Sequence, residues 1–290
     1  MVVIRLFGGL GNQMFQYAFG KSLALERHCE LKIDLTLLDK SKNHPNITYR
    51  NLDLDIFELN IELLNKSSLS LKRLVAKKIR ERNFTYDGEL VTYLESLPKG
   101  KMIFITGYWQ SPKYFNHFLK DIKSSFEFKN ALYGKWKIMA NLIDSTQSVM
   151  INVRRTDYLN LLDIHGVVTL EYLLSSIEII KTKYSEPTFF IFSDDIPWCR
   201  CNLPDKSNFI YVDEEYYDNK YQYYLHLMSR CKHFIISNST FAWWAAFLGQ
   251  DSNSTVIAPR EWFQTKKIDA KDLIPETWLR VGMKANYVPR

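Results

Sequence analysis

The chain has little of several things, and each shortage excludes something. Its 290 residues include only four cysteines, Cys29, Cys199, Cys201 and Cys231. The single Cys-x-Cys has no second pair and no neighbouring His, so neither a zinc site nor a disulfide framework is expected. Glycine and proline number only 11 and 9, which argues against long disordered tracts. No stretch reaches the ~18 apolar residues of a membrane span, and no secretory apolar segment opens the chain, so the expected location is the cytoplasm. The first Gly-rich turn lacks G-x-G-x-x-G spacing, which disfavours a dinucleotide-binding reading.

What is present is a globular composition, 46% hydrophobic, long enough for one large domain or two of ordinary size. The net charge of +6 favours anionic partners. Much of the basic charge crowds into residues 71–82, LKRLVAKKIRER, where Leu71, Leu74, Val75 and Ile79 fall at helical spacing. The spacing predicts an amphipathic helix, and its basic face allows peripheral contact with a membrane. Nucleic acid is not expected, because these basic residues are not interleaved with aromatics.

Along the chain, strands and helices alternate. The opening reads as a strand at 2–7, a Gly-rich turn, a helix at 12–28 and a strand at 31–35. A further strand at 102–107 precedes a helix expected near Pro112. In the second half, strands read at 148–153, 188–192, 209–212, 233–236 and 255–258. Helices read between them at 169–184, 196–202, 219–230 and 241–248. Such alternation predicts α/β architecture with parallel sheets, and ligands at the carboxyl ends of the strands. Two Rossmann-type domains are expected, 1–145 and 146–290, with the last helix able to return to the first.

Four places carry chemistry. After the first strand, Gly8-Gly9-Leu10-Gly11-Asn12-Gln13 offers a tight turn, with Asn12 as a candidate cap for the following helix. After the strand at 148–153, the sequence reads Asn152-Val153-Arg154-Arg155-Thr156-Asp157-Tyr158. Strand alternation puts Asn152 and Arg154 on one face, so Arg154 is the candidate for a diphosphate and Arg155 for an ion pair with Asp157. Ser193-Asp194-Asp195 ends another strand. Either carboxylate could match guanine, and either could cap the helix before Pro197. Two adjacent carboxylates without a third ligand do not make a metal site. Finally, Ser237-Asn238-Ser239-Thr240-Phe241 opens an apolar helix whose free N–H groups suit a phosphate, and Trp243 and Trp244 read as helix packing.

Taken together these stretches resemble the alpha-1,2-fucosyltransferase family of the bacterial type. The resemblance runs through GGLGNQMFQYAFGKSLA, GYWQSPKYF at 107–115, NVRRTDY at 152–158, HGVVTLEYLLSSIEII at 165–180, FSDD at 192–195, SNSTFAWWAAFL at 237–248 and IAPREWF at 257–263. It implies a GT-B-like fold, two Rossmann-type domains facing across a cleft. The first would be the acceptor side and the second would bind GDP-fucose. It implies inverting transfer of L-fucose to the 2-hydroxyl of a terminal β-galactoside, with no metal or other cofactor. Donor contacts would come from Gly9, Gly11, Asn12, Gln13, Asn152, Arg154, Asp194, Asp195, Ser237, Asn238, Ser239, Thr240 and Phe241. Tyr108 and Trp109 would meet the acceptor. Beside Arg154, a catalytic base is sought among Asp157, Asp163, His165 and Glu171. This chain departs from the family in having Asn152 where His is usual and Thr156 where Gly is commoner. The resemblance further implies a lipid-linked oligosaccharide acceptor in O-antigen or other surface-polysaccharide synthesis, at the cytoplasmic face of an inner membrane. The rival readings are transfer of another GDP-sugar or to another linkage, and a GDP-sugar- or carbohydrate-binding protein without catalysis.

Overall fold

A computed structural model of the chain describes residues 1–41, 50–64, 76–80, 84–163, 165–204, 207–218 and 220–283. It divides into two compact units, Met1–Lys129 with Asp269–Pro275, and Asn130–Ile268 with Glu276–Arg290. The division falls before residue 130, earlier than the boundary at 145 expected from sequence. The intervening helix packs on the second unit: Trp136 Nε1 donates to the Tyr216 carbonyl at 2.9 Å, and its ring lies 4.7 Å from that of Tyr223. No Pro/Gly linker marks the position, so nothing local betrayed it.

Unit 1 holds β1 (Val2–Arg5), α1 (Leu10–Glu26), β2 (Leu31–Asp34), α2 (Thr36–Ser41), β3 (Lys77–Arg80), α3 (Gly88–Ser96), β4 (Ile103–Thr106) and α4 (Leu119–Ser125). Its four strands are all parallel, in the order β2-β1-β4-β3. The register pairs Val3 with Lys32 on one side and with Phe104 on the other. Val2, Val3 and Ile4 are fully buried, each contributing roughly 1.5–3 kcal/mol relative to exposure.

Two expectations change here. The helix expected near Pro112 is a pair of 3-10 turns, Pro112–Tyr114 and Asn116–Phe118, ahead of α4. The amphipathic helix expected over 71–82 is overturned at Lys77–Arg80, which is a strand paired with β4. Leu71, Lys72, Arg73, Leu74, Val75 and Arg82 lie outside the described residues. The pairing with β4 outweighs a local helical pattern of apolar and basic residues.

Unit 2 holds α5 (Gly134–Ser145), β5 (Gln147–Val153), α6 (Leu170–Lys183), β6 (Pro187–Ser193), α7 (Ile196–Asn202), β7 (Phe209–Val212), α8 (Gln222–Ser229), β8 (His233–Ile235), α9 (Thr240–Gly249), β9 (Val256–Pro259) and β10 (Leu279–Val281). Its six strands are parallel, in the order β10-β9-β8-β5-β6-β7. Counted from β5, this is the doubly wound order 3-2-1-4-5-6, and its switch point lies between β5 and β8. Val149, Ile151 and Val153 pack with Leu173 and Ile177 of α6, which puts Met150 and Asn152 on the opposite face. The near-continuous burial of β5 and β6 is what a sheet covered on both sides requires. α8 and α9 approach so closely that a Cβ on Gly249 would lie 2.1 Å from the Ser229 carbonyl oxygen. The described tail is β10, a strand, and not a helix returning to unit 1; residues 284–290 lie outside the description. No helix among the described residues is long and apolar enough to cross a membrane.

Candidate functional site

At the switch point of unit 2, the segments following β5, β6 and β8 converge. Asn152, 7% exposed, ties them together: its amide reaches the Phe192 carbonyl at 3.4 Å, and its Oδ1 accepts from Ser237 Oγ at 2.5 Å. Beyond β5 the chain turns outward and Arg154 emerges. Its Nε and a terminal nitrogen form a fork on Asp157, at 2.9 and 2.7 Å, and Nε also lies 3.2 Å from Asp194. Burial works against the Arg154 charge, but Asp157 and Asp194 outweigh it and hold its pKa above the ordinary arginine value.

Asp157, expected as the partner of Arg155, is taken by Arg154. Arg155 pairs instead with Asp195 at 3.3 Å and lies over the Trp198 ring at 4.0 Å. The three-residue step within the Asp157 turn suits Arg154, while Arg155, on the other side of the backbone, reaches α7. Trp198 had no signal in the sequence beyond its place one residue after Pro197.

The two aspartates after β6 have different tasks. Asp194 is saturated, accepting from Arg155 N at 2.9 Å, Thr156 N at 3.2 Å and Thr156 Oγ1 at 2.6 Å. It fastens the Arg154 turn, and the hydroxyl of Thr156 is part of the fastening. Asp195 caps α7 through Trp198 N at 3.1 Å, and among the described residues its second oxygen has only the long Arg155 contact. Ser193 is held by two tyrosines that sequence reasoning missed: its N–H donates to Tyr224 at 2.8 Å, and its carbonyl accepts from Tyr217 at 2.5 Å.

At β8, the four polar residues before α9 divide their roles. Ser237 is engaged with Asn152, and the Asn238 amide donates to the His165 carbonyl at 2.7 Å and the Trp262 carbonyl at 3.1 Å. Both residues tie the strand ends together, and the buried Oδ1 of Asn238 has no hydrogen-bond partner among the described residues. Ser239 stands at the N-cap position, yet its side chain makes no capping bond, and Thr240 and Phe241 form the first turn of α9. Ser239 thus supplies no side-chain cap to this ten-residue helix, whose dipole is positive at the switch point. Trp243 and Trp244 are fully buried packing residues, as expected.

Of the base candidates, the structure brings Asp157 and His165 to this cluster. The His165 ring stacks on Tyr158 at 4.8 Å, and Tyr158 in turn donates to the Asn238 carbonyl at 3.3 Å. Burial lowers the His165 pKa and nearby Asp157 opposes the shift, while burial pushes Tyr158 up to about 12. Asp163 and Glu171 are exposed, Glu171 in the first turn of α6, and no hydrogen bond or ion pair among the described residues ties either to the cluster. Among the described residues no three His, Cys, Asp or Glu side chains gather as a metal site.

Unit 1 has its own meeting of strand ends, after β1 and β4. The Asn12 side chain accepts from Gln110 at 2.9 Å, and the Phe7 and Tyr108 rings meet at 4.9 Å. Gly9 is the N-cap of α1, so Asn12 lies inside the helix and is not its cap. Gly8 adopts φ +76°, which makes the turn possible. Gln13 is fully buried and bonds the Gly8 and Asn51 carbonyls at 2.9 and 2.8 Å, and accepts from Asp53 N at 3.0 Å. Gln13 and buried Gly11 thus serve the turn itself. Trp109 is fully buried against Phe19 at 4.4 Å and is a packing residue, not a surface for an acceptor, whereas Tyr108 is 36% exposed.

With this geometry in view, comparison with known proteins is informative. An alpha-1,2-colitosyltransferase of Escherichia coli is 32% identical over 298 residues, covering 97% of this chain and 99% of the relative. The O-antigen biosynthesis glycosyltransferase WbnK of Escherichia coli is 26% identical over 310 residues, covering 95% and 99%. Among solved structures, the fucosyltransferase NodZ from Bradyrhizobium superposes with a TM-score of 0.52 at 13% identity, over 85% of this chain and 91% of that one. That likeness supports the α/β, GT-B-like fold class and nothing finer. Residues 1–281 match the family described as glycosyl transferase family 11, and the chain belongs to that family.

Proposed function

We propose that the chain transfers a 6-deoxy-L-galactose-type sugar from a GDP-linked donor to the 2-hydroxyl of a terminal β-galactoside, with inversion. Two donors fit this class: GDP-fucose, and GDP-colitose, whose sugar is fucose without the 3-hydroxyl. The second is favoured by one observation, the 32% identity to an alpha-1,2-colitosyltransferase. O-antigen synthesis on a lipid-linked acceptor, at the cytoplasmic face of a membrane, belongs to the same proposal, supported by the likeness to WbnK. Unit 1 would serve the acceptor, and unit 2 the nucleotide.

The observation that carries the reading is Arg154 at the same switch point as the N-terminus of α9, joined to that turn through Tyr158. As the acceptor oxygen bonds to the anomeric carbon, the bond to the β-phosphate oxygen breaks and GDP takes the electron pair. A guanidinium and a helix N-terminus aimed at that growing charge can each supply roughly 3 kcal/mol without a metal. Asp195, with acceptor capacity left, is the carboxylate for guanine. With both Asp157 oxygens on the Arg154 fork, His165 is the base candidate beside this cluster left to receive the acceptor proton.

The test is mass spectrometry on the purified protein with each donor, a panel of β-galactosides and EDTA. The expected product is a galactoside extended at its 2-position by one of the two sugars, with Arg154→Ala inactive. A site built to bond the 3-hydroxyl would reject the colitose donor by about 10⁴-fold, so the preference should be sharp. GDP binding without product from either donor would identify a binding protein instead.

A further inference from the structure

The fork of Arg154 is occupied in this structure, and its occupant has the chemistry of a phosphate. Both Asp157 oxygens are engaged, one on Nε at 2.9 Å and one on a terminal nitrogen at 2.7 Å. That is the bidentate pattern a guanidinium offers to two phosphate oxygens. The two carboxylates around Arg154 differ in how they are held. Asp194 is fixed by three further donors from Arg155 and Thr156, and its side chain is 17% exposed. Asp157 is 48% exposed, and its hydrogen bonds among the described residues are those to Arg154. One carboxylate is built in and the other can leave.

We infer that Asp157 is an internal competitor for the donor diphosphate. In the empty enzyme it holds the Arg154 fork closed, a diphosphate displaces it, and after transfer it returns to the fork and helps expel GDP. This rests on the proposed GDP-linked donor. A half-exposed ion pair is weak enough to be exchanged for a doubly charged group, while Asp194 keeps the guanidinium aimed during the exchange. Asp157 is in this view a positioning residue: it acts through Arg154.

The two rival roles of Asp157 give opposite signs in one experiment. Isothermal titration with GDP would compare the wild-type chain, Asp157→Asn and Arg154→Ala, with GDP product inhibition measured in the transfer assay. Removing the competing charge should tighten GDP binding in Asp157→Asn by about five-fold, and strengthen product inhibition by the same factor. Arg154→Ala should lose GDP binding. If Asp157→Asn bound GDP more weakly, with the melting temperature retained, Asp157 would be a structural support of the site and the inference would fail. If GDP affinity were unchanged while transfer collapsed, Asp157 would be the base and the inference would equally fail. A wild-type chain that binds no GDP would overturn the donor reading itself, a result separate from either.

Discussion

The two units use one architecture to opposite ends. Both place the turn after their first strand beside a turn that follows a neighbouring strand. In unit 1 the joining groups are amides and rings: Gln13 with Gly8, Asn51 and Asp53, Asn12 with Gln110, and Trp109 under Phe19. In unit 2 they are charges: Arg154, Arg155, Asp157, Asp194 and Asp195. Buried amides and rings hold a shape, whereas partly exposed ion pairs exchange partners. The contrast says that substitutions in the first meeting point should cost stability, and substitutions in the second should cost binding and turnover.

The sharpest way to break this comparison is Trp109→Ala. Removing a fully buried indole should cost roughly 3–5 kcal/mol of unfolding free energy, read by denaturant titration. A loss of activity without that destabilisation would return Trp109 to the acceptor. Arg154→Ala is the counterpart in unit 2: transfer should fall by about 10²–10³-fold, with the melting temperature nearly kept. A variant that unfolds instead would mean the cluster is structural.

Gln13→Leu is expected to cost about 1–3 kcal/mol, since it leaves the Gly8 and Asn51 carbonyls and Asp53 N without their partner. Nucleotide binding by unit 2 should be unchanged in that variant. Weakened GDP binding with stability intact would instead make Gln13 a ligand contact.

The mildest expected effect is on pH dependence. His233, 2% exposed in unit 2, has its pKa lowered by burial to about 4 from the ordinary 6.5. Its neutral ring accepts from Thr255 N through Nδ1. The unfolded chain takes up the proton first, so stability is full above pH 6.5 and falls as the pH drops towards 4, by on the order of 1–3 kcal/mol. His233→Asn keeps an acceptor near Thr255 N and should flatten that part of the acid profile. An unchanged profile would assign the acid sensitivity to other groups.

Much of this was legible because parallel strands buried on both faces write themselves as unbroken apolar runs. VMINV, FFIF and FII could be little else in an alternating chain. The helix expected over 71–82 failed at Lys77–Arg80 because four residues that form a sheet's edge strand do not show their partner in sequence. The expected pairing of Arg155 with Asp157 failed for a related reason. Alternation predicts faces only while the strand continues, and β5 ends at Val153.

By itself the sequence determined the kind of protein: parallel α/β units, polar turns at strand ends, and the residue types that a phosphate would need. Those follow from short-range rules, the period of two in strands and the capping chemistry of helices. Tertiary structure alone decided which of those polar residues are spent on holding the turns. Asp194, Ser237 and Gln13 resemble ligands in sequence, yet each has hydrogen bonds taken by backbone or side chains far along the chain. A polar atom buried on folding must find a partner, and the partner's identity depends on which strands lie side by side.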